Sequence, residues 1–208
     1  MRPLKFGIIG CGDVAMTRHL PVITVNPSVQ LLVVCDTDIA RAKAAADKFG
    51  VPAYTAKANE VLKNPALDAV VVATPPWATP QLTVQALAEN KYVLCEKPMA
   101  LSMAEAWKVD KAERASCGKV QMCFIFRHDP LLEQLKAWID EGLLGRPLLY
   151  RFGIYDERWD PEGNPDHCGR IMETLTHGGP SVHDGAHTAD SMHMLTNSPV
   201  VGVQAWGL

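Results

Sequence analysis

Apolar residues along the first 127 positions gather in short runs, separated by longer stretches in which they recur every three or four residues. The runs "LKFGII" (4–9), "VQLLVVCD" (29–36), "LDAVVVATP" (67–75), "KYVLCE" (91–96) and "KVQMCFIFR" (119–127) are rich in Val and Ile and too short for helices. Runs apolar on both faces predict parallel strands covered on both sides. The stretches 14–25, 38–50, 79–90 and 102–116 carry helical spacing instead. Gly50 stands where it would close one helix, and Ser102 with Glu105 forms a capping-box pattern at the start of another. Strands alternating with helices predict a doubly wound, Rossmann-type α/β domain over residues 1–122.

From 123 to 208 the texture changes. "RHDPLLEQLKAWIDEGLLGRP" (127–147) predicts a helix ended by Gly142 or Gly145 and Pro147. A strand "PLLYRFGIYDERW" (147–159) follows, then a loop rich in Gly, Pro and His (160–181). A helix over about 184–196 and a last strand, "VVGVQAWG" (200–207), complete a second, partial α/β domain.

Composition narrows the function classes. With 48% hydrophobic and 21% charged residues the chain is ordinary globular protein. A net charge of −3 and a pI near 6.1 point away from nucleic acid. No apolar run approaches the ~18 residues that span a membrane, and "MRPLKFGIIGCG" leads straight into a fold motif rather than a cleavage site. Six cysteines without paired or CxxC spacing fit reduced thiols in a cytoplasmic protein.

Two motifs carry chemistry. In "FGIIGCGDVA", Gly10-x-Gly12-x-x-Ala15 stands at a strand-to-helix turn. Gly10 permits the turn, Gly12 lets backbone approach a pyrophosphate, Ala15 allows close helix packing, and the helix N-terminus supplies N–H donors. Asp36, at the next strand's end, is placed to accept hydrogen bonds from an adenosine ribose, which favours NAD over NADP. Arg41 is the nearby cation that would soften that preference, and a glycine turn with no ligand is the competing reading. The second motif is "CEKP": Lys97 falls at the carboxyl end of a later strand, facing the crevice where open α/β sheets bind ligands. Pro98 biases its backbone toward extended geometry, and partial desolvation would bring the amine's pKa toward working pH. The competing reading is a solvated loop lysine.

Taken together, "GIIGCGDVA", Asp36, "ATPP" (73–76), "EKPMA" (96–100), "EGLLGRP" (141–147) and "GGPSVHDGAHTAD" (178–190) resemble the Gfo/Idh/MocA family of NAD(P)-dependent oxidoreductases. The resemblance implies a Rossmann domain followed by an α/β domain whose open, mostly antiparallel sheet carries substrate and joins subunits into a homo-oligomer. It implies catalytic roles for Lys97 and His187. The cofactor-binding set becomes Gly10, Gly12, Asp13, Val14, Ala15, Asp36, Thr74, Pro75, Glu96 and Lys97. The substrate-binding set becomes Lys97, Arg127, His183, Asp184 and His187.

The chain departs from the family pattern where an aspartate would stand four residues before His187, since that position is His183. It departs again at Thr79, where many members have histidine, and in ending earlier than family members do, as a truncated chain would.

His183-Asp184-x-x-His187 imitates the zinc motif H-E-x-x-H, but Gly185 inside the helix and the shorter acid argue against it, and no metal is expected. His167, His177 and His193 read as polar cleft residues. Asp190 is either a hydrogen-bond partner of His187 or a helix-surface carboxylate. Trp77, Trp107 and Trp138 read as packing residues, Trp159 as facing either substrate or solvent, and Cys11, Cys35 and Cys95 as small buried thiols.

The function expected is hydride transfer between NAD (or NADP) and a secondary alcohol or ketone of a sugar, cyclitol or related polyol. The alternatives are a non-catalytic nucleotide-binding remnant and a metal-dependent hydrolase using His183 and His187.

Overall fold

Six parallel strands form one sheet in the order β3-β2-β1-β4-β5-β6 in a computed structural model of the chain. The structure describes residues 2–153, 160–176, 185–204 and 206, without the side chains of 166, 167, 170, 171, 174 and 175. The strands are β1 (Leu4–Ile9), β2 (Val29–Cys35), β3 (Ala53–Thr55), β4 (Ala69–Val72), β5 (Tyr92–Cys95) and β6 (Val120–Met122). Around them lie α1 (Leu20–Ile23), α2 (Ile39–Phe49), α3 (Ala58–Leu62), α4 (Thr79–Ala88) and α5 (Met103–Ala115). Successive residues explain the continuous apolar runs. Ile8, Val34 and Val71 enter one buried cluster, while Ile9, Cys35, Val70 and Val72 enter another. Each such Ile or Val side chain contributes about 1.5–3 kcal/mol relative to exposure.

The helix punctuation follows the sequence. Asp38 caps α2 by accepting the N–H groups of Ala40 and Arg41, and Gly50 ends it at φ 66°. The Ser102 hydroxyl accepts the N–H of Glu105, and the Glu105 carboxylate reaches back to the N–H of Leu101.

Chain contacts divide the molecule into two units, Met1–Cys123 and Phe124–Leu208. In the second, a 3₁₀ turn (Ile125–His128) leads to α6 (Pro130–Asp140), then α7 (Pro165–Thr176) and α8 (Gly185–Thr196). Two sequence expectations are corrected here. The described parts of the two late strand segments, 147–153 and 200–204, have no strand pairing, because a strand exists only with a ladder partner for its backbone groups. Part of the loop expected over 160–181 is instead α7. The tryptophans also differ from expectation, with Trp107 62% and Trp138 44% exposed on their helices.

One surface tie has a pH signature. Asp68, just before β4, accepts the Arg2 guanidinium at 2.8 and 2.7 Å and the N–H of Lys5 at 2.8 Å. Chiefly through Arg2, its carboxyl is held at about 2 against an ordinary 3.8. A depressed carboxylate adds stability above its unfolded pKa and loses it as pH falls toward the folded one. Acid-unfolding curves are therefore expected to lose this increment between pH 3.8 and about 2, and Asp68→Asn should remove the Asp68 share of the change in that window.

Candidate cofactor and active site

The strand order reverses direction at β1, so the carboxyl ends of β1 and β4 part and open a crevice there. Gly10 builds this edge. It has φ 96°, its N–H donates to the Cys35 carbonyl at 2.8 Å, and an added Cβ would lie 2.1 Å from the Ala73 carbonyl oxygen. No side chain fits that wedge. Gly12 is the reverse case, because a Cβ built on it meets nothing within 4 Å. Its face is open, as a cradle for an approaching phosphate requires. Asp13, Val14 and Ala15 form the helical turn that follows, where N–H groups lack intrahelical acceptors by geometry. Ala15 is fully buried against the core, in keeping with its small size.

Asp36, at the end of β2, is 9% exposed. Its carboxylate accepts the N–H of Cys11 at 2.8 Å and that of Asp38 at 3.0 Å. It therefore also locks the glycine turn to the neighbouring strand, a role that sequence reasoning missed. Cys11 is pushed up to about 12, first by burial and then by Asp36 and Cys35. Cys35 and Cys95, raised chiefly by burial, stand at about 11. These are inert thiols at neutral pH, as expected for small core residues.

Thr74 and Pro75 follow β4. The Thr79 hydroxyl lies 3.0 Å from that of Thr74, with the carbonyls of Thr74 and Pro75 at 3.1 and 3.2 Å. Thr79 is 1% exposed, so its hydroxyl is a buried, structural one.

The EKP segment leaves β5 with Lys97 half-buried, Pro98 buried and the peptide between them cis. Glu96 is a hub that sequence reasoning did not recognise. It meets His19 Nε2 at 2.8 Å and accepts the N–H of Lys97 at 3.1 Å. Burial pushes its carboxyl up, but the bond and charge of His19, with Lys97, outweigh burial and hold it below the ordinary range. The Cys123 thiol lies beside it, and the ligating atoms of His19, Glu96 and Cys123 lie within 4.8 Å of one another.

In the second unit, His187 lies on α8, 8% exposed, with the rings of Phe126 at 4.8 Å and Phe124 at 6.1 Å. Asp190, one turn on, binds Arg127 through both carboxylate oxygens at 2.7–2.9 Å. Arg127 thus anchors the 3₁₀ turn to α8, and Asp190 is neither an idle surface carboxylate nor reserved for His187. Arg127→Met should strand a carboxylate whose side chain is only 8% exposed. The expected loss is about 1.5–3 kcal/mol, read as a lower denaturant midpoint for this unit. Lysine should restore only part of it, lacking the bidentate fork. His177, His183, Asp184 and Trp159 lie outside the described residues, as does the side chain of His167, while His193 is exposed.

Among the described residues no helix is long and apolar enough to cross a membrane. Residues 4–124 match the family model described as an oxidoreductase family with an NAD-binding Rossmann fold. The inositol 2-dehydrogenase of Salmonella typhimurium is 32% identical over 206 residues, 98% of this chain and 57% of that protein. The scyllo-inositol 2-dehydrogenase (NAD(+)) of Bacillus subtilis is 27% identical over 181 residues, 87% of this chain and 52% of the relative. The crystal structure of myo-inositol 2-dehydrogenase from Lactobacillus plantarum superposes with a TM-score of 0.81. At 22% identity, over 94% of this chain and 57% of the other, it speaks to fold alone. The chain thus spans little more than half the length of these relatives. On the sheet order, the glycine turn and these matches, the chain belongs to the Gfo/Idh/MocA oxidoreductase family.

Proposed function

We propose that the protein is an NAD-dependent oxidoreductase acting on a secondary alcohol of a cyclitol or related polyol, with NADP as the weaker cofactor. One observation carries the reading. The glycine turn, Asp36, Thr74–Pro75 and Glu96–Lys97 all leave the carboxyl ends of β1, β2, β4 and β5, and Gly12 keeps the turn open. The names of the relatives, inositol and scyllo-inositol dehydrogenases, support the substrate class.

Bound NAD would supply the hydride acceptor at nicotinamide C4. The residues of the chain do the rest. The turn at Gly10–Ala15 holds the pyrophosphate. The Asp36 carboxylate takes the ribose hydroxyls and repels a 2′-phosphate. As the carbinol carbon gives up hydride, its hydroxyl proton passes to the side chain of Lys97 or to the imidazole of His187, leaving a ketone. Thr74, Pro75 and Glu96 line the cofactor, while Arg127, His183 and Asp184 belong to the substrate set. The buried free thiols support a reducing, cytoplasmic setting. Exposed Leu148, Leu149, Val201 and Val203 support pairing of the late segments in a homo-oligomer.

Calorimetric titration with NAD+ and NADP+, followed by NADH formation from myo-inositol and scyllo-inositol, tests the proposal. Tighter binding of NAD+ with turnover of a cyclitol is the expected result. Binding of neither dinucleotide would overturn it.

A further inference from the structure

Sequence motifs explain Glu96 and Lys97 as family residues, but not the histidine that meets them. His19 closes a five-residue π-helical segment, Ala15–His19, ahead of α1. The cause is local. Pro21 has no N–H to offer the Thr17 carbonyl, and its ring would press against that carbonyl in an α-helix. The wider turn, in which the Leu20 N–H donates to the Ala15 carbonyl, relieves both. Its last residue, His19, reaches Glu96 across 77 positions of sequence. Both side chains are largely shielded, at 12% and 15% exposure.

We propose that His19 is a positioning residue for Lys97. Its Nε2–H holds one oxygen of the Glu96 carboxylate, and the other oxygen accepts the N–H of Lys97. The π-wound turn beside the dinucleotide loop thereby fixes the backbone from which the Lys97 amine is aimed. The catalytic consequence rests on the proton-handling role proposed for Lys97; the tether does not. The same three groups, His19, Glu96 and Cys123, are also a zinc-type donor set. A metal bound there would take the Glu96 oxygen that now meets His19. The hydrogen-bonded arrangement accounts for the short His19–Glu96 contact, since a bound metal holds its ligands farther apart than 2.8 Å.

The test needs no turnover at its first step. Amide hydrogen exchange at Lys97, followed by NMR on the whole chain, should quicken about 10-fold or more in His19→Ala. It should return toward the wild-type rate in His19→Gln, whose amide keeps a donor. Exchange in β1 and β4 should stay unchanged in both. With myo-inositol and NAD+, His19→Ala should lower kcat by about 10–100-fold with the KM for NAD+ unchanged. That loss should vanish in a Lys97→Met background, since a residue acting through Lys97 has nothing left to position.

Unchanged exchange at Lys97 in His19→Ala would overturn the tether. Losses that multiply in the double variant would overturn its route through Lys97. Stoichiometric zinc in protein purified without a histidine tag, with His19→Ala removing it, would overturn the hydrogen-bonded reading in favour of a metal. If Lys97→Met turns over normally while His19→Ala still frees the Lys97 amide, the tether stands and the proton role of Lys97 falls.

Discussion

Lys97→Met should lower turnover by ~10²–10⁴-fold, the usual range for losing a positioned acid or base. The fold should survive, and NAD binding should persist with a loss far smaller than that of turnover. Methionine keeps most of the side-chain length but not the amine. The segment around it has its own supports: Pro98 is buried, the Lys97 N–H is tied to Glu96, and β5 pairs with β4 and β6. None of these contacts uses the amine. Steady-state rates with a cyclitol substrate check this, together with circular dichroism and NAD titration of the variant. Wild-type turnover in the methionine variant would reduce Lys97 to a loop lysine.

Gly12→Val should reduce NAD affinity beyond the measurable range while leaving thermal stability close to wild type. The two halves of this expectation come from one observation. A Cβ at position 12 meets no protein atom within 4 Å, so the folded chain has room for it. The space it enters is the one a pyrophosphate needs above the helix N-terminus. Gly10 offers the contrast, since its Cβ would collide with the Ala73 carbonyl and any substitution there would damage the fold itself. Calorimetry of the position 12 variant beside a melting curve checks both halves. Undiminished NAD affinity would remove the glycine turn from the binding site.

The parts of the fold that could be read from sequence are those fixed by local pattern. Ile8–Ile9 and Val70–Val72 are buried on both sheet faces, so β1 and β4 appear as unbroken apolar runs. Gly50 and Ser102 announce helix ends because capping is local chemistry. By contrast β3 has three residues, Ala53–Thr55, and its place comes only from pairing with β2. In α7, Cys168, Met172 and their neighbours at 171 and 175 have helical spacing, but Pro165, Gly169 and His167 made the stretch look like loop. The segments 147–153 and 200–204 show the opposite error. Their strand-like composition reports propensity, while a strand needs a partner.

The site divides the same way. Gly10, Gly12, Asp36 and Lys97 declare themselves by motif and by their place after strands. The bond from Cys11 to Asp36 spans 25 residues, and those joining His19 to Glu96 and Arg127 to Asp190 span 77 and 63. No spacing rule in the sequence announces them. Lys91 is a further case, buried with its ammonium donating to the carbonyls of Asn64 and Leu67. Its partners are backbone atoms, which leave no trace in residue identity.

Direct hydride transfer is the central claim, and isotopic transfer tests it most closely. The chain would be incubated with NAD+ and a cyclitol deuterated at its carbinol carbons, and the reduced cofactor analysed by mass spectrometry and NMR. The account predicts NADH carrying deuterium at nicotinamide C4. NADH without the label, or no NADH from a chain that binds NAD, would contradict it.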